Sequence, residues 1–242
     1  LGLGDYYEDK EEYELAIENY TKAIEIDKDY LAAYKRRADV YSYTKEDNDD
    51  KKIEDYNEIL EHEPANYQFY FKRAEELYYK KEYEAALSDY SKAIELDVKN
   101  LGGIWNYLHR AEVYEELGNN EAALADMDKA VSIAELEDSQ QDSAYSARAR
   151  FYANQNELKN ALEDYTKAII FSPDYFLNYY NIAEIYEQQG DTENAIRYYE
   201  KVRELNTDGN SFNSMAKEAI DRLKESPKGG KGFFGKVKDL FK

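Results

Sequence analysis

Small and aromatic residues recur along the chain with the spacing of amphipathic helices. Residues 13–27, 83–97 and 158–173 read YELAIENYTKAIEID, YEAALSDYSKAIELD and LKNALEDYTKAIIFSP. In each stretch a small residue precedes an aromatic residue by four positions, and another small residue follows three positions later, which places all three on one side of a helix. The aromatic position recurs every 34 to 38 residues, as Tyr20, Tyr56, Tyr90, Met127, Tyr165 and Tyr199. The pattern therefore predicts six structural repeats that share a helix of this kind.

A second stripe precedes the first in every repeat and predicts a second helix. Its small position is occupied by Gly4, Ala38, Ala74, Ala111, Ala149 and Ala183. Three residues further on stand Tyr7, Tyr41, Leu77, Tyr114, Tyr152 and Tyr186. Each repeat is thus predicted to be two amphipathic helices joined by a short turn, which is visible as LGNNE and QGDTE in two of them. A single helix pair cannot bury both of its apolar sides, so neighbouring pairs are expected to stack.

This arrangement resembles the tetratricopeptide repeat, a helix–turn–helix of 34 residues. The resemblance implies an all-α fold, a right-handed helical-repeat solenoid (an α-α superhelix). Residues 211–225 are predicted to form a capping helix, because their apolar residues, among them Phe212, Ala216 and Ile220, share one side. The predicted repeats cover about residues 1–30, 31–66, 67–103, 104–141, 142–175 and 176–210. The chain begins at Leu1, within the first helix of its first repeat, and is expected to be a truncated or processed form.

Four of the six repeats carry an Arg and an Asp at matching positions. The arginines are Arg37, Arg73, Arg110 and Arg148, and the aspartates are Asp55, Asp89, Asp126 and Asp164. The first and last repeats lack both residues, having Leu3 with Asn19 and Ile182 with Tyr198. Pairing within a repeat explains all six cases, whereas pairing with the next repeat leaves Arg37 opposite Asn19. We expect partly buried, structural ion pairs within each of the four repeats.

Composition and motifs argue against catalysis and against nucleic acid as a partner. The formal net charge is −20, which repels phosphate groups. The chain has no Cys and two His, and it contains no zinc-protease, phosphate-loop, dinucleotide or nucleophile-elbow motif. We therefore expect a protein that is not an enzyme and that needs no cofactor and no metal.

In proteins with this repeat, a concave groove lined by the first helix of each repeat binds the partner. The resemblance implies that the residues lining such a groove here include Arg36, Tyr43, Phe71, Lys72, Tyr78, Tyr79, Trp105, His109, Arg150, Tyr180 and Asn181. Aromatic residues and Arg dominate binding energy at interfaces, so a protein or peptide partner is expected. The alternative is that individual aromatic side chains pack between repeats.

One well-known subclass of the family holds the C-terminal carboxylate of chaperones in a clamp of Lys, Asn and Arg residues. At one clamp position this chain has Asp39, Glu75 and Glu112 in three consecutive repeats. Because these carboxylates would repel a carboxylate ligand, a chaperone-adaptor role is not expected.

The end of the chain departs from the repeat pattern. Residues 224–242 contain six Lys against Glu225 and Asp239, a net charge of +4. After a glycine-rich hinge at 226–232, residues 233–242 would form a basic amphipathic helix whose apolar side carries Phe233, Phe234, Val237, Leu240 and Phe241. The interpretation favoured is docking on an acidic groove of the same or a neighbouring chain, which would also allow self-association. Anchoring on an anionic membrane surface and a disordered tail stay open.

Together these features predict a non-catalytic scaffold that binds a protein or peptide in its groove. The alternative function is a peripheral membrane adaptor held by the basic amphipathic tail.

Overall fold

All regular structure in the described part of the chain is α-helical. The computed structural model describes residues 1–46, 48–97, 99, 102–207 and 211–225, and in these ranges it has thirteen helices and no strand. The helices are α1 (Gly2–Asp9), α2 (Tyr13–Ile26), α3 (Leu31–Tyr41), α4 (Asp49–His62), α5 (Tyr67–Tyr79), α6 (Tyr83–Leu96), α7 (Gly103–Glu116), α8 (Asn120–Glu137), α9 (Gln141–Asn154), α10 (Leu158–Phe171), α11 (Phe176–Gln189), α12 (Thr192–Leu205) and α13 (Ser211–Glu225). The predicted all-α, helical-repeat class is confirmed. The predicted hinge and tail, residues 226–242, lie outside the described residues.

The chain divides into two compact units. The first comprises Leu1–Ala130 and the second Val131–Lys242, so the division falls within α8. In the first unit α1 packs on α2, α3 on α4 and α5 on α6, and the second helix of each pair also packs on the first helix of the next. In the second unit each of the helices from α9 to α13 packs on its neighbour in sequence. Within each unit the core therefore lies both inside and between the helix pairs.

The small residues mark the places where two helices approach most closely. Ala38, Ala74 and Ala111 of the first unit, and Ala149 and Ala183 of the second, are completely buried. Three tyrosines of the first stripe, Tyr20, Tyr90 and Tyr165, are at most 2% exposed. The small alanine side chain allows the facing helix to pack closely, and the aromatic ring fills the space beside it. The two stripes together therefore form the core.

The turn inside most repeats requires left-handed backbone at one position. Glu11, Lys81, Gly118, Asn156 and Gly190 all have φ between 59° and 78°. Each stands seven residues after the small residue of its first helix, so the turn geometry is shared although only two of the five are glycine. Left-handed backbone caps the end of a helix and turns the chain back along it.

Gly4 occupies the position that is alanine in the other repeats, and the ring of Tyr20 explains the difference. A Cβ atom added at Gly4 would fall on that ring. The ring is held by its hydroxyl, which donates to Asp5 Oδ1 at 2.8 Å and to Glu8 Oε2 at 2.6 Å. The absent methyl group at Gly4 therefore makes room for Tyr20.

Gly4→Ala is expected to lower the free energy of unfolding by about 1–2 kcal/mol, because overpacking outweighs the helix propensity gained with alanine. Gly2→Ala in the same helix is the matched control, since nothing lies within 4 Å of its added Cβ, and it should be neutral or stabilising. Urea unfolding of both variants tests this, and equal stability of the two would contradict it.

Helix α13 covers the last repeat and occupies the segment for which a capping helix is predicted. Its Ala216, Ala219 and Ile220 are buried in a cluster with Tyr180 and Tyr199. The rest of α13 is mostly exposed. A helix with one apolar and one polar side can close the end of a repeat array in this way.

Candidate functional site

The repeated arginines and aspartates form bidentate ion pairs inside the repeats, here called rungs. The two oxygens of each aspartate accept from the guanidinium at 3.1 and 2.6 Å in Arg37–Asp55, 2.6 and 2.8 Å in Arg73–Asp89, 2.7 and 2.8 Å in Arg110–Asp126, and 2.7 and 3.0 Å in Arg148–Asp164. The aspartates are nearly buried. Hydrogen bonding to Asp89 raises the pKa of Arg73, which favours the charged form.

In the first unit each rung also reaches the preceding repeat. The Nη1 atom of Arg37 donates to Thr21 Oγ1 at 3.0 Å, that of Arg73 to Asn57 Oδ1 at 2.7 Å, and that of Arg110 to Ser91 Oγ at 3.2 Å. The acceptors all follow the stripe aromatic, so the sequence held a signal for these contacts. Each guanidinium also lies 5.6 to 6.0 Å from the ring of Tyr34, Tyr70 or Tyr107. The donors of these arginines are thus used in contacts within the protein, and the arginines have a structural role.

The first helices of the repeats in the first unit lie side by side and share one surface, here called the first-helix face. Arg36 on α3 approaches Asp5 on α1, with Nε to Oδ1 3.8 Å apart. Lys72 Nζ on α5 lies 2.7 Å from Asp39 Oδ1 on α3. The Phe71 ring on α5 is 5.2 Å from His109 on α7. Four of the predicted groove residues, Arg36, Phe71, Lys72 and His109, thus contact a neighbouring first helix.

The cations predicted on this face already have partners. Lys72 is paired with Asp39, and Arg36 lies within 4 Å of both Asp5 and Glu8. Lys52, which stands where other repeats have alanine, reaches from α4 to Glu76 Oε2 on α5 at 2.7 Å and to Asp49 at 3.1 Å. These cationic groups are therefore paired with carboxylates of the protein itself.

Aromatic rings occupy the middle of the face. Phe71 meets Tyr90 edge-on at 5.4 Å, and Tyr90 is stacked on His109 at 6.0 Å. Trp105 lies 6.2 Å from His109 and is 42% exposed. The cluster thus runs from the buried ring of Tyr90 outward to an indole that solvent can reach.

Two carboxylates border this cluster. Glu112 Oε2 lies 3.5 Å from His109 Nδ1. Glu75, one turn after Phe71, is half-buried and has no hydrogen bond or ion pair to any residue that the structure describes. Burial raises the pKa of Glu75, although the charges of His109 and Lys72 partly oppose this. We call Phe71, Glu75, Trp105, His109 and Glu112 the aromatic–carboxylate site.

The three other predicted tyrosines of the first unit differ in exposure. Tyr79 is 70% exposed. Tyr78 is partly buried, 5.9 Å from Tyr79 and 5.7 Å from Tyr83. Tyr43, which follows α3, is 60% exposed and stacks on Tyr13 at 5.4 Å. Tyr43 and Tyr79 offer aromatic surface to a partner.

The predicted groove residues of the second unit differ in their exposure. Arg150 is exposed, and Asn181 is partly buried. Tyr180 was predicted to line the groove, but it is only 7% exposed and belongs to the core. Its ring packs edge-on against Tyr199 at 5.6 Å and against Phe212 of α13 at 5.2 Å. Tyr180 is part of the core because α13 covers it.

Among the helices that the structure describes, none is long and apolar enough to cross a membrane.

Two family models match different parts of the chain. The model described as "Tetratricopeptide repeat" matches residues 1–30, 67–100 and 106–135. The model described as "Regulator of microtubule dynamics protein 1-3" matches residues 145–226.

Two curated relatives are similar over most of the chain. The DnaJ homolog subfamily C member 7 homolog of Dictyostelium discoideum is 25% identical over 177 residues, 69% of this chain and 33% of that protein. Tetratricopeptide repeat protein 6 of Homo sapiens is 28% identical over 198 residues, 78% of this chain and 35% of that protein. The chain thus spans about a third of the length of these relatives.

Solved structures show the same fold at low identity. The C-terminal part of a TPR repeat-containing protein from Cytophaga hutchinsonii matches with a TM-score of 0.68 and 18% identity, over 93% of this chain and 95% of that one. YrrB, a TPR protein with an unusual peptide-binding site, matches with a TM-score of 0.57 and 21% identity, over 82% of this chain and 97% of that one.

Proposed function

The chain is a tetratricopeptide repeat protein, and from this membership we propose that it is a non-catalytic scaffold that binds a protein or peptide on the first-helix face of its first unit. The observation that carries the proposal is the exposure of Trp105 and Tyr79 on that face. Large aromatic side chains that are rigid and partly exposed are the usual anchors of an interface.

The similar proteins support an interaction role of this general kind. YrrB is a TPR protein with an unusual peptide-binding site, and another similar structure is the Cut9–Hcn1 complex. At 21% and 14% identity these similarities support a common fold alone. The proposed location of the binding face therefore rests on the residues of this chain.

A selection of peptides on the immobilised full chain, followed by fluorescence anisotropy, tests the location of the binding face. Trp105→Ala and Tyr79→Ala should each weaken the selected peptides by about 10-fold or more, as expected of interface anchors. Ile170→Ala is the control, because Ile170 is 71% exposed but belongs to the second unit. Equal affinities in all three variants would overturn the proposed face.

The basic tail gives the proposal a second part, in which residues 233–242 dock on an acidic groove of the same or a neighbouring chain. Its support is complementary charge. Residues 1–130 contain 33 Asp and Glu against 17 Lys and Arg, a net charge of −16, whereas residues 224–242 carry +4. Opposite charges attract the tail to this unit and favour its docking there.

The alternative function, a peripheral membrane adaptor, is favoured by the same basic amphipathic sequence. Co-sedimentation with anionic vesicles separates the two, using the full chain and a chain that ends at Lys224. Vesicle binding that is lost with residues 225–242 would favour the adaptor. If the full chain does not bind vesicles, the membrane adaptor is ruled out and the protein-binding scaffold is favoured.

A further inference from the structure

The carboxylate of Glu75 is half-buried and lacks the partner that such a group normally has. Two amines lower its pKa through space, but both are directed elsewhere, since Lys72 binds Asp39 and Lys52 binds Glu76. Removing a carboxylate from water without a hydrogen bond or counter-ion is unfavourable. A cation placed beside Glu75 would compensate that loss.

The rings beside Glu75 are suited to the same kind of ligand. Phe71 is one turn before Glu75 on α5, and Trp105 and His109 lie across from it on α7. The face of a Trp or Phe ring attracts ammonium and guanidinium groups, and Trp does so most strongly. Carboxylates at both Glu75 and Glu112 add two acceptors for the donors of such a group.

The surroundings also select for positive charge. The net charge of −16 on residues 1–130 raises the local concentration of cations and disfavours acidic peptides. Asp39, Glu75 and Glu112 place a carboxylate at the same position of three consecutive repeats, so the local and the overall charge act in the same direction.

We propose that the aromatic–carboxylate site binds a Lys or Arg side chain of a separate protein, within a basic segment that also carries aromatic or aliphatic residues. The cationic group lies between Glu75 and Glu112, and its stem packs on Phe71, His109 and Trp105. This inference rests on the proposed function and names the class of partner. It assigns a role to Glu75, which packing alone leaves unexplained.

The only Trp of the chain, Trp105, reports directly on this site through its fluorescence. The probe is a blocked peptide with the sequence of residues 233–242, FFGKVKDLFK, which contains three Lys and four large apolar residues besides Val. A second peptide has Gln in place of the three Lys. Titrated into the full-length protein, the Lys peptide should change the Trp105 emission in a saturable way, and the Gln peptide should bind at least about 10-fold more weakly.

Glu75→Gln tests the role of the carboxylate, with Glu84→Gln as the matched control. Glu84 is an exposed residue of α6 in the same unit, so its loss changes the overall charge equally. Glu75→Gln should weaken the Lys peptide by about 5-fold or more, and Glu84→Gln by less than about 2-fold. If the two variants weaken binding equally, the peptide is attracted only by the overall negative charge of the unit. That result would overturn the proposed cation site.

Stability gives a second readout that a structural glutamate would move in the opposite direction. Because the raised pKa means that the fold disfavours ionised Glu75, Glu75→Gln should raise the midpoint of thermal unfolding at pH 7 by about 1–2 °C. A lower midpoint together with unchanged binding would assign Glu75 to packing and overturn the proposal.

The failures of the two proposals can be distinguished. If the Lys and Gln peptides bind equally and Tyr79→Ala abolishes the binding of both, the proposed binding face is supported but the cation site is overturned. If neither peptide changes the emission, the proposed cation site is overturned, and the peptide selection separately decides the face. A full chain with Gln at its three tail lysines identifies the source of the cation. Tighter binding of the added peptide would reassign the site to the chain's own tail, and unchanged binding supports a separate partner.

Discussion

Asp89→Ala should destabilise the first unit by about 3 kcal/mol, because it leaves the partly buried guanidinium of Arg73 without its counter-ion. Both hydrogen bonds of the rung, at 2.6 and 2.8 Å, are lost at once. The remaining bond, from Nη1 to Asn57, cannot balance a full charge. Urea unfolding followed by circular dichroism measures the effect, which is among the largest expected for a single substitution in this chain.

The last repeat supplies the control for this prediction. It has Ile182 and Tyr198 at the two positions of a rung, and Ile182 is 1% exposed. The double variant Arg73→Ile, Asp89→Tyr copies that apolar solution and should recover at least half of the stability lost in Asp89→Ala, since no charge is then left unpaired. If the double variant were less stable than Asp89→Ala, the ion pair would stabilise the fold through its hydrogen bonds and packing and not only by neutralising the two charges.

Tyr165→Ala should destabilise the second unit by about 4 kcal/mol, because it empties the space of a ring that is 2% exposed. It also removes the hydroxyl group of Tyr165. Thermal unfolding of the variant should show a midpoint lower by roughly 10 °C.

Tyr165→Met is the matched control, because Met127 fills the same position of another repeat and is 1% exposed. A flexible apolar side chain of nearly the same size should cost less than about 1.5 kcal/mol. If the Met and Ala variants were equally unstable, the hydroxyl of Tyr165 rather than its volume would be the important contribution.

The helices and their register could be predicted from the sequence because the signals are local and occur six times. The small and aromatic stripes follow the period of the helix, so each repeat reinforces the others. The within-repeat rungs were predicted in a similar way, from the joint absence of Arg and Asp in the first and last repeats. The contacts of Arg37, Arg73 and Arg110 with the preceding repeat were not predicted, although a hydroxyl or amide follows each stripe aromatic.

Features that depend on tertiary neighbours were not accessible from the sequence. The burial of Tyr180 depends on where α13 lies, which no spacing within the repeat specifies. The isolation of Glu75 depends on the directions taken by Lys72, three residues before it on α5, and by Lys52 of α4, which binds the adjacent Glu76 instead. Left-handed turns at Glu11, Lys81 and Asn156 lack the glycine that usually marks them.

The bond from each rung to the preceding repeat has a consequence for how the first unit opens. When one helix pair separates from the array, the arginine of the next pair loses its acceptor at Thr21, Asn57 or Ser91. The free energy of opening one repeat is therefore coupled to the state of its neighbour, as in a one-dimensional chain of interacting units. Amide protons of α3 to α7 should accordingly exchange as one cooperative block rather than pair by pair, with the freest exchange expected in α1, whose repeat has no rung of its own.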